Sequence, residues 1–359
     1  MIAISNIEKT LKKYTFIDLF AGIGGFHYAL ESLGATCVFS SEIDNKAKGV
    51  YEINHHVRPE GDITMIDEKK IPKHDILCGG FPCQAFSISG KQKGFEDTRG
   101  TLFFDIARIV AYHTPKMLFL ENVKNFARHD DGNTLKIVIN TLQKLNYTVF
   151  TKVLNTSKFG LPQNRERIYI VAFNNEEFSK IDFKFPSVNL VSSLEDILEE
   201  FPEKGKIIER EDVTFYKDYS TQKNIFGEVM LPNKPIQIGK VSKGRQGERI
   251  YHPKGHAITL SAYGGGIGAK TGLYKIASAI RKLSPRECAR LQGFPENFIY
   301  SNSISEAHKQ FGNSVSINVL QYILKEITKV IQANEQTPTT RFLNGKKWIQ
   351  ERKRDSIQV

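Results

Sequence analysis

The sequence predicts an α/β fold, a mostly parallel sheet with helices on both faces, followed by a second, smaller domain. Three observations carry this. Between residues 14 and 175, short β-branched and aromatic runs alternate with stretches of helical period. After Pro186 that regularity fades into polar, lysine- and glycine-rich sequence from about residue 190 to 284. Glycine turns and isolated carboxylates fall where the runs end, at the edge where open parallel sheets place their sites. At 359 residues, 40% of them hydrophobic, the chain can bury one large core and one small one.

Six strands are expected, over Thr15–Phe20, Thr36–Ser41, Asp75–Cys78, Met117–Leu120, Thr148–Leu154 and Arg167–Phe173. Leu102, Ile106 and Ile109 mark one helix between them, and Leu135, Ile139 and Leu142 another. A late stripe, Val315, Val319, Ile323, Ile327 and Val330, predicts a helix that packs back on the first domain. The tail 336–359 carries six basic and two acidic residues, a net of +4, and reads as mobile.

Charge narrows the partners. Of the formal +11, residues 231–290 hold twelve Lys or Arg against Glu248 and Glu287, a net of +10. A one-signed excess is the footprint of a polyanion-binding surface, with nucleic acid favoured over anionic membrane headgroups. No apolar run approaches the length of a bilayer span, and the N-terminus lacks a basic segment followed by an apolar stretch, so a cytoplasmic protein with no membrane partner is expected. Cys37, Cys78, Cys83 and Cys288 are too few and scattered for a disulfide framework. Neither a CxxC pair nor a histidine cluster offers metal-ligand spacing, so reduced thiols and no metal are expected.

Phe20-Ala21-Gly22-Ile23-Gly24-Gly25 lies where the first strand gives way to a helix, and its glycines allow a ligand close to the backbone. Glu42 follows the second strand, where an acid can accept from ribose hydroxyls, and Asp62 is placed to meet an adenine amino group. The turn does not spell GxGxxG, which weighs against a dinucleotide and leaves an adenosyl cofactor open. Gly79-Gly80-Phe81-Pro82-Cys83-Gln84 puts a thiol at the active edge. The loop to Gly100, with Ser87, Ser89, Lys91, Lys93 and Arg99, has the composition of a cationic lid. Glu121-Asn122-Val123 sets a carboxylate at the same edge, as a general acid or a helix cap. Arg165 and Arg167, at alternate positions leading into a strand, share one face and suit either a salt bridge or an anion clamp.

Together these motifs, with Gly312-Asn313-Ser314-Val315, occur in the order shown by the bacterial DNA cytosine-5 methyltransferases, which the chain resembles from about residue 14 to 330. Gly79–Arg108 and Gln246–Gly272 look like the HhaI-type, GCGC-methylating members of restriction-modification systems. The resemblance implies a Rossmann-like methyltransferase sheet that binds S-adenosylmethionine, with a target-recognition domain. Its expected divisions are 1–190 catalytic, 191–284 target recognition, 285–312 hinge, 313–335 a returning helix and 336–359 a basic tail.

It further implies that Cys83 attacks carbon 6 of a cytosine flipped out of duplex DNA, which activates carbon 5 for the methyl group. Glu121 would protonate ring nitrogen 3, Arg165 would support the pyrimidine carbonyl, and Arg167 would brace Glu121 or the loop. Cofactor contacts carry over to Phe20, Gly22, Ile23, Gly24, Glu42, Ile43, Asp62, Ile63, Gly80, Pro82, Leu102 and Asn313. Ile43 departs from the aromatic residue often found beside the ribose acid. DNA contacts carry over to Gln84, Ser87, Ser89, Arg99, Gln246, Arg249, Thr259, Tyr263 and Gly266. A monomer suffices for one site and one recognition domain, and a cognate restriction endonuclease acting on the same sequence is the expected functional partner. The competing expectations are an RNA cytosine methyltransferase, a catalytically dead DNA-binding homologue, and an NAD-dependent oxidoreductase that would leave the basic stretch unexplained.

Overall fold

The computed structural model describes residues 9–82, 102–200, 202, 205–216 and 234–335. Strands β1 (Thr15–Leu19), β2 (Thr36–Ser41), β3 (Ile76–Gly80), β4 (Met117–Val123), β5 (Tyr147–Asn155) and β6 (Glu166–Asn174) form one sheet in the order β2-β1-β3-β4-β6-β5. All six expected strands are present, and the sheet is mostly parallel. β6 alone runs against its neighbours, slotted between β4 and β5. Their alternating side chains feed two cores, one on each face: Phe16, Cys78, Phe119 and Val171 on one side, Ile17, Leu77, Leu118 and Ile170 on the other. Burial on both faces is why these strands read as near-continuous apolar runs.

Helices α1 (Gly25–Ser32), α2 (Asn45–His55), α3 (Leu102–His113) and α4 (Asn133–Lys144) connect and cover the sheet. α1 begins after Gly24, whose φ of 89° is left-handed; a Cβ there would lie 2.0 Å from His55 Nε2, so glycine is required on both counts. α2 is capped by Asp44, whose carboxylate accepts from Lys46 N and Ala47 N.

Short strands β7 (Val213–Phe215), β8 (Ile236–Val241), β9 (Arg249–His252), β10 (Leu273–Ile276) and β11 (Ala279–Arg281) build the second sheet, in the order β11-β10-β9-β8-β7. Its own core is small: Ile238, Val241, Ile250 and Leu273 are buried there. The chain then returns through α5 (Pro285–Gln292), α6 (Ile304–Asn313) and α7 (Ile317–Glu335). The stretch 285–312 is therefore largely helical. The predicted stripe is buried, with Val315 just ahead of α7 and Val319, Ile323, Ile327 and Val330 within it, in the same core as Phe26 and Leu30 of α1.

Candidate functional site

Strand register assembles the site. β1 and β3 run parallel with Leu19 opposite Gly79, and β3 and β4 run parallel with Gly80 opposite Glu121, so their carboxyl ends finish side by side. Asn122 Nδ2 donates to Phe81 O at 2.9 Å and holds the chain leaving β3 against β4. β6 returns antiparallel, with Val123 opposite Arg167 and Glu121 opposite Tyr169. Opposed residues share a face, so Arg167 sits diagonal to Glu121. Its Nε lies 3.0 Å from Glu121 Oε1.

Glu121 is only 7% exposed. Burial raises its pKa, against the pull of the Arg167 and Arg165 charges, so it holds a proton more readily than a free carboxyl. Arg165, 2% exposed, reaches three backbone carbonyls: Leu260 O at 3.0 Å, Gly312 O at 3.2 Å and Ser314 O at 2.6 Å. Burial, then the neighbouring Arg167 charge, pushes its pKa down to about 9. Its Nε is buried and has no hydrogen-bond partner among the described residues.

These groups border a cavity of about 640 Å³. Phe20, Gly22, Ile23, Glu42, Ile43, Asp62, Ile63, Leu102, Pro82 and Asn313 also line it, with Gly80 beside Glu121 in register. Every residue expected to meet the cofactor lines this cavity except Gly24, which packs on His55 instead. Glu42 accepts from Gly22 N and Asp44 N, both at 2.8 Å, which turns its carboxylate toward the glycine turn. Phe20 adopts a left-handed φ of 55°, an uncommon conformation for a large side chain and one found at functional turns. Asp62 Oδ1 caps a short 3-10 turn through Thr64. Ile43 is 71% exposed at the mouth. Two acids flanking an apolar slot suit an adenosyl group, with hydroxyl and amino donors for the carboxylates.

Cys83, Gln84, Ser87, Ser89 and Arg99 lie outside the described residues; Pro82, exposed on the cavity wall, is the last described position before them. Tyr263, 76% exposed, stands at the rim. Gln246, Arg249 and Gly266 are exposed on the second sheet's side, while Thr259 is half-buried and donates to Asn164 O at 2.5 Å. A Cβ on Gly247 would come within 2.0 Å of Gly265 O, so two glycine segments are pressed together there.

The basic stretch divides in two. Arg281 makes a buried bidentate pair with Glu287, Arg290 pairs with Glu296, and Arg286 donates to Pro295 O and Phe298 O. These three arginines hold α5 in place and are not part of a polyanion surface, which narrows the reading from charge. Lys234, Lys243, Arg245, Arg249, Lys254 and Lys275 remain exposed. Sequence reasoning also missed Asp44 and Lys309, which line the cavity as an ion pair at 2.7 Å. A contact across such a separation leaves no local pattern to read.

Among the described residues, His27, Glu31 and His55 offer ligand atoms within 4.8 Å of one another, a grouping that histidine spacing did not announce. The two imidazoles are stacked at 4.1 Å and His27 Nδ1 is 2.7 Å from Tyr51 Oη, so the rings lie nearly parallel rather than converging on one point. No helix among the described residues is long and apolar enough to cross a membrane.

The sequence profile described as C-5 cytosine-specific DNA methylase matches residues 14–329. The Type II methyltransferase M.HhaI of Haemophilus parahaemolyticus is 56% identical over 322 residues, covering 89% of this chain and 96% of that protein. M.HpaII of Haemophilus parainfluenzae is 45% identical over 326 residues, with coverage of 88% and 89%. Among solved structures, the S. pombe Dnmt2 methyltransferase superposes with a TM-score of 0.63 over 89% of this chain and 99% of that one, at 20% identity, a likeness of fold.

Proposed function

The chain belongs to the C-5 cytosine-specific DNA methylase family, and from that premise we propose that it methylates carbon 5 of one cytosine in a specific duplex sequence, through a covalent adduct with Cys83. The observation that carries the reading is the register that sets Gly80 beside the buried Glu121–Arg167 pair in a cavity shared with Pro82, Glu42 and Asp62.

S-adenosylmethionine, the methyl donor of the family, supplies an electrophilic methyl group on a sulfonium. Glu42 would accept from its ribose hydroxyls and Asp62 from its adenine amino group, both residues lining the cavity with Ile43 and Ile63. The remaining steps belong to the protein. The Cys83 thiolate adds to carbon 6, and Glu121 delivers a proton to nitrogen 3 so that the ring takes up the electron pair without building charge. Carbon 5, now enamine-like, would take the methyl carbon as its bond to the sulfonium sulfur breaks, the electron pair staying on sulfur. Loss of the carbon 5 proton to a base would then expel the thiolate, and the nitrogen 3 proton would return to Glu121. Arg167 fixes the carboxyl, and Arg165, held by three carbonyls, is assigned to support the pyrimidine carbonyl.

A stacked base cannot present carbon 6 to a thiolate, so the cytosine must leave the duplex at a cost of a few kcal/mol. Gln84, Ser87, Ser89 and Arg99, together with Gln246, Arg249, Thr259, Tyr263 and Gly266 of the segment between β8 and β10, are assigned to the contacts that offset it. Arg249 suits bidentate reading of guanine in the major groove. The proposed target is GCGC, methylated at the inner cytosine. The proposed organisation keeps residues 1–190 for chemistry and 191–284 for target recognition, with a monomer as the working unit in the cytoplasm of a cell holding a cognate endonuclease.

Bisulfite mapping of DNA from cells expressing the protein tests activity and target together. Conversion resistance confined to one cytosine of GCGC is expected; resistance at another sequence would overturn the target alone. Labelled methyl transfer to transfer RNA with none to duplex DNA would overturn the substrate.

A further inference from the structure

We propose that Lys309 on α6 is a positioning residue for Glu42, acting through Asp44 from across the mouth of the cavity. The inference rests on the assignment of Glu42 to the cofactor ribose. Glu42 Oε1 accepts from Asp44 N at 2.8 Å and Oε2 from Gly22 N at 2.8 Å, so its aim depends on where residue 44 sits. Asp44 is fixed by two holds: Oδ1 caps α2 through Lys46 N at 2.9 Å, and Oδ2 meets Lys309 Nζ at 2.7 Å.

Lys309 is itself gripped from the other side. Glu306 lies 3.3 Å from Lys309 Nζ and its second oxygen 3.3 Å from Lys46 Nζ, so charges of alternating sign join the start of α2 to α6. Asp44 and Lys309 both line the cavity and are about one-quarter to one-third exposed. Each partner favours the other's charged form, lowering the carboxyl pKa and raising the ammonium pKa. The turn they secure carries the exposed Ile43 and has little packing of its own. A free Glu42 carboxylate must spend rotamer and loop freedom to meet two hydroxyls, whereas one already aimed binds without that loss.

The test is calorimetric titration, without DNA, of S-adenosylhomocysteine and of its 2′,3′-dideoxy analogue into the wild-type chain, Lys309→Met and Lys309→Arg. The wild type is expected to bind the parent compound more tightly than the analogue. Lys309→Met should weaken the parent about threefold to tenfold, the scale of a partly screened, charge-assisted pair. It should leave the analogue within about twofold, because the contact that Lys309 serves is absent there. Lys309→Arg should recover most of the loss, and the melting temperature should stay unchanged.

Equal weakening of both ligands would overturn the proposal, since Lys309 would then touch the cofactor elsewhere or support the fold. So would a Lys309→Met variant that binds the parent compound normally. A wild type that binds both ligands equally, or neither, would remove the ribose assignment itself and the proposal with it.

Discussion

The two sheets are held together on different scales. The first has thick apolar cores on both faces, and its site residues project from strand ends whose register leaves them little choice of position. The second has, among the described residues, a core of its own with only four buried aliphatic side chains, while its Tyr251 and Tyr274 pack into the larger core, and its exposed polar groups sit on glycine-rich turns. On the proposed reading, the first sheet must hold a thiol, a carboxyl and a methyl donor within bonding reach, which needs rigid supports, while the second would meet DNA through turns of special shape. The difference predicts that damage to the first sheet's edge removes turnover, and damage to the second removes target affinity while cofactor binding persists.

The largest effect is expected at Cys83. Cys83→Ser should lower methylation by more than about 10³-fold while calorimetry still detects the cofactor product, because a hydroxyl is too weak a nucleophile here. Normal turnover in that variant would end the covalent reading. Glu121→Gln follows, with turnover reduced about 10²- to 10⁴-fold as the proton donor is lost.

Glu121 also sets a pH dependence. Its folded pKa is raised by burial, so the protonated form persists above the ordinary carboxylate range. Activity that needs this proton should fall as pH rises through the raised value. The sign for stability is the same: ionising the buried group costs the folded state between the ordinary and the raised pKa. A pH–rate profile that keeps its alkaline limb in Glu121→Gln would assign the limb to another group.

On the second sheet, Ile250→Ala should destabilise by about 2–4 kcal/mol in denaturant melts, through the cavity left in so small a core. Its cofactor affinity should match the wild type; a matching loss there would mean that the sheets do not work as separate supports. Arg249→Ala should weaken cognate DNA by about 10- to 100-fold and random DNA much less, measured by competition binding. Uniform weakening would make it a phosphate contact. The smallest expected effect is a gain: Ile43→Trp should tighten S-adenosylhomocysteine about twofold to tenfold by covering adenine with an aromatic face.

Much of the first sheet was legible because both-face burial leaves strong apolar runs and because turn glycines and carboxylates mark strand ends. Glu121 could be placed at the active edge, and Arg165 and Arg167 on one face, from local spacing; that Arg167 meets Glu121 depends on β6 running antiparallel to β4, which spacing does not record. The slotting of β6 between β4 and β5 was not legible, because strand order is decided by packing partners far away in sequence. The second sheet's strands were too short, and too interrupted by glycine and lysine, to leave a period. Arg281, Arg286 and Arg290 looked like surface charge because composition does not record a carbonyl or a glutamate waiting several residues away. Lys309 escaped for the same reason, its partner being Asp44.

Arg165 has a consequence for how such a molecule diversifies. Its guanidinium reaches the main chain at Leu260, Gly312 and Ser314, and main-chain oxygens are common to every amino acid. At Leu260 the hold on Arg165 therefore does not depend on that residue's own side chain, whereas the neighbouring Thr259 is tied to Asn164 O through its hydroxyl. Residue 260 is thus freer to change than residue 259, provided the backbone path is kept.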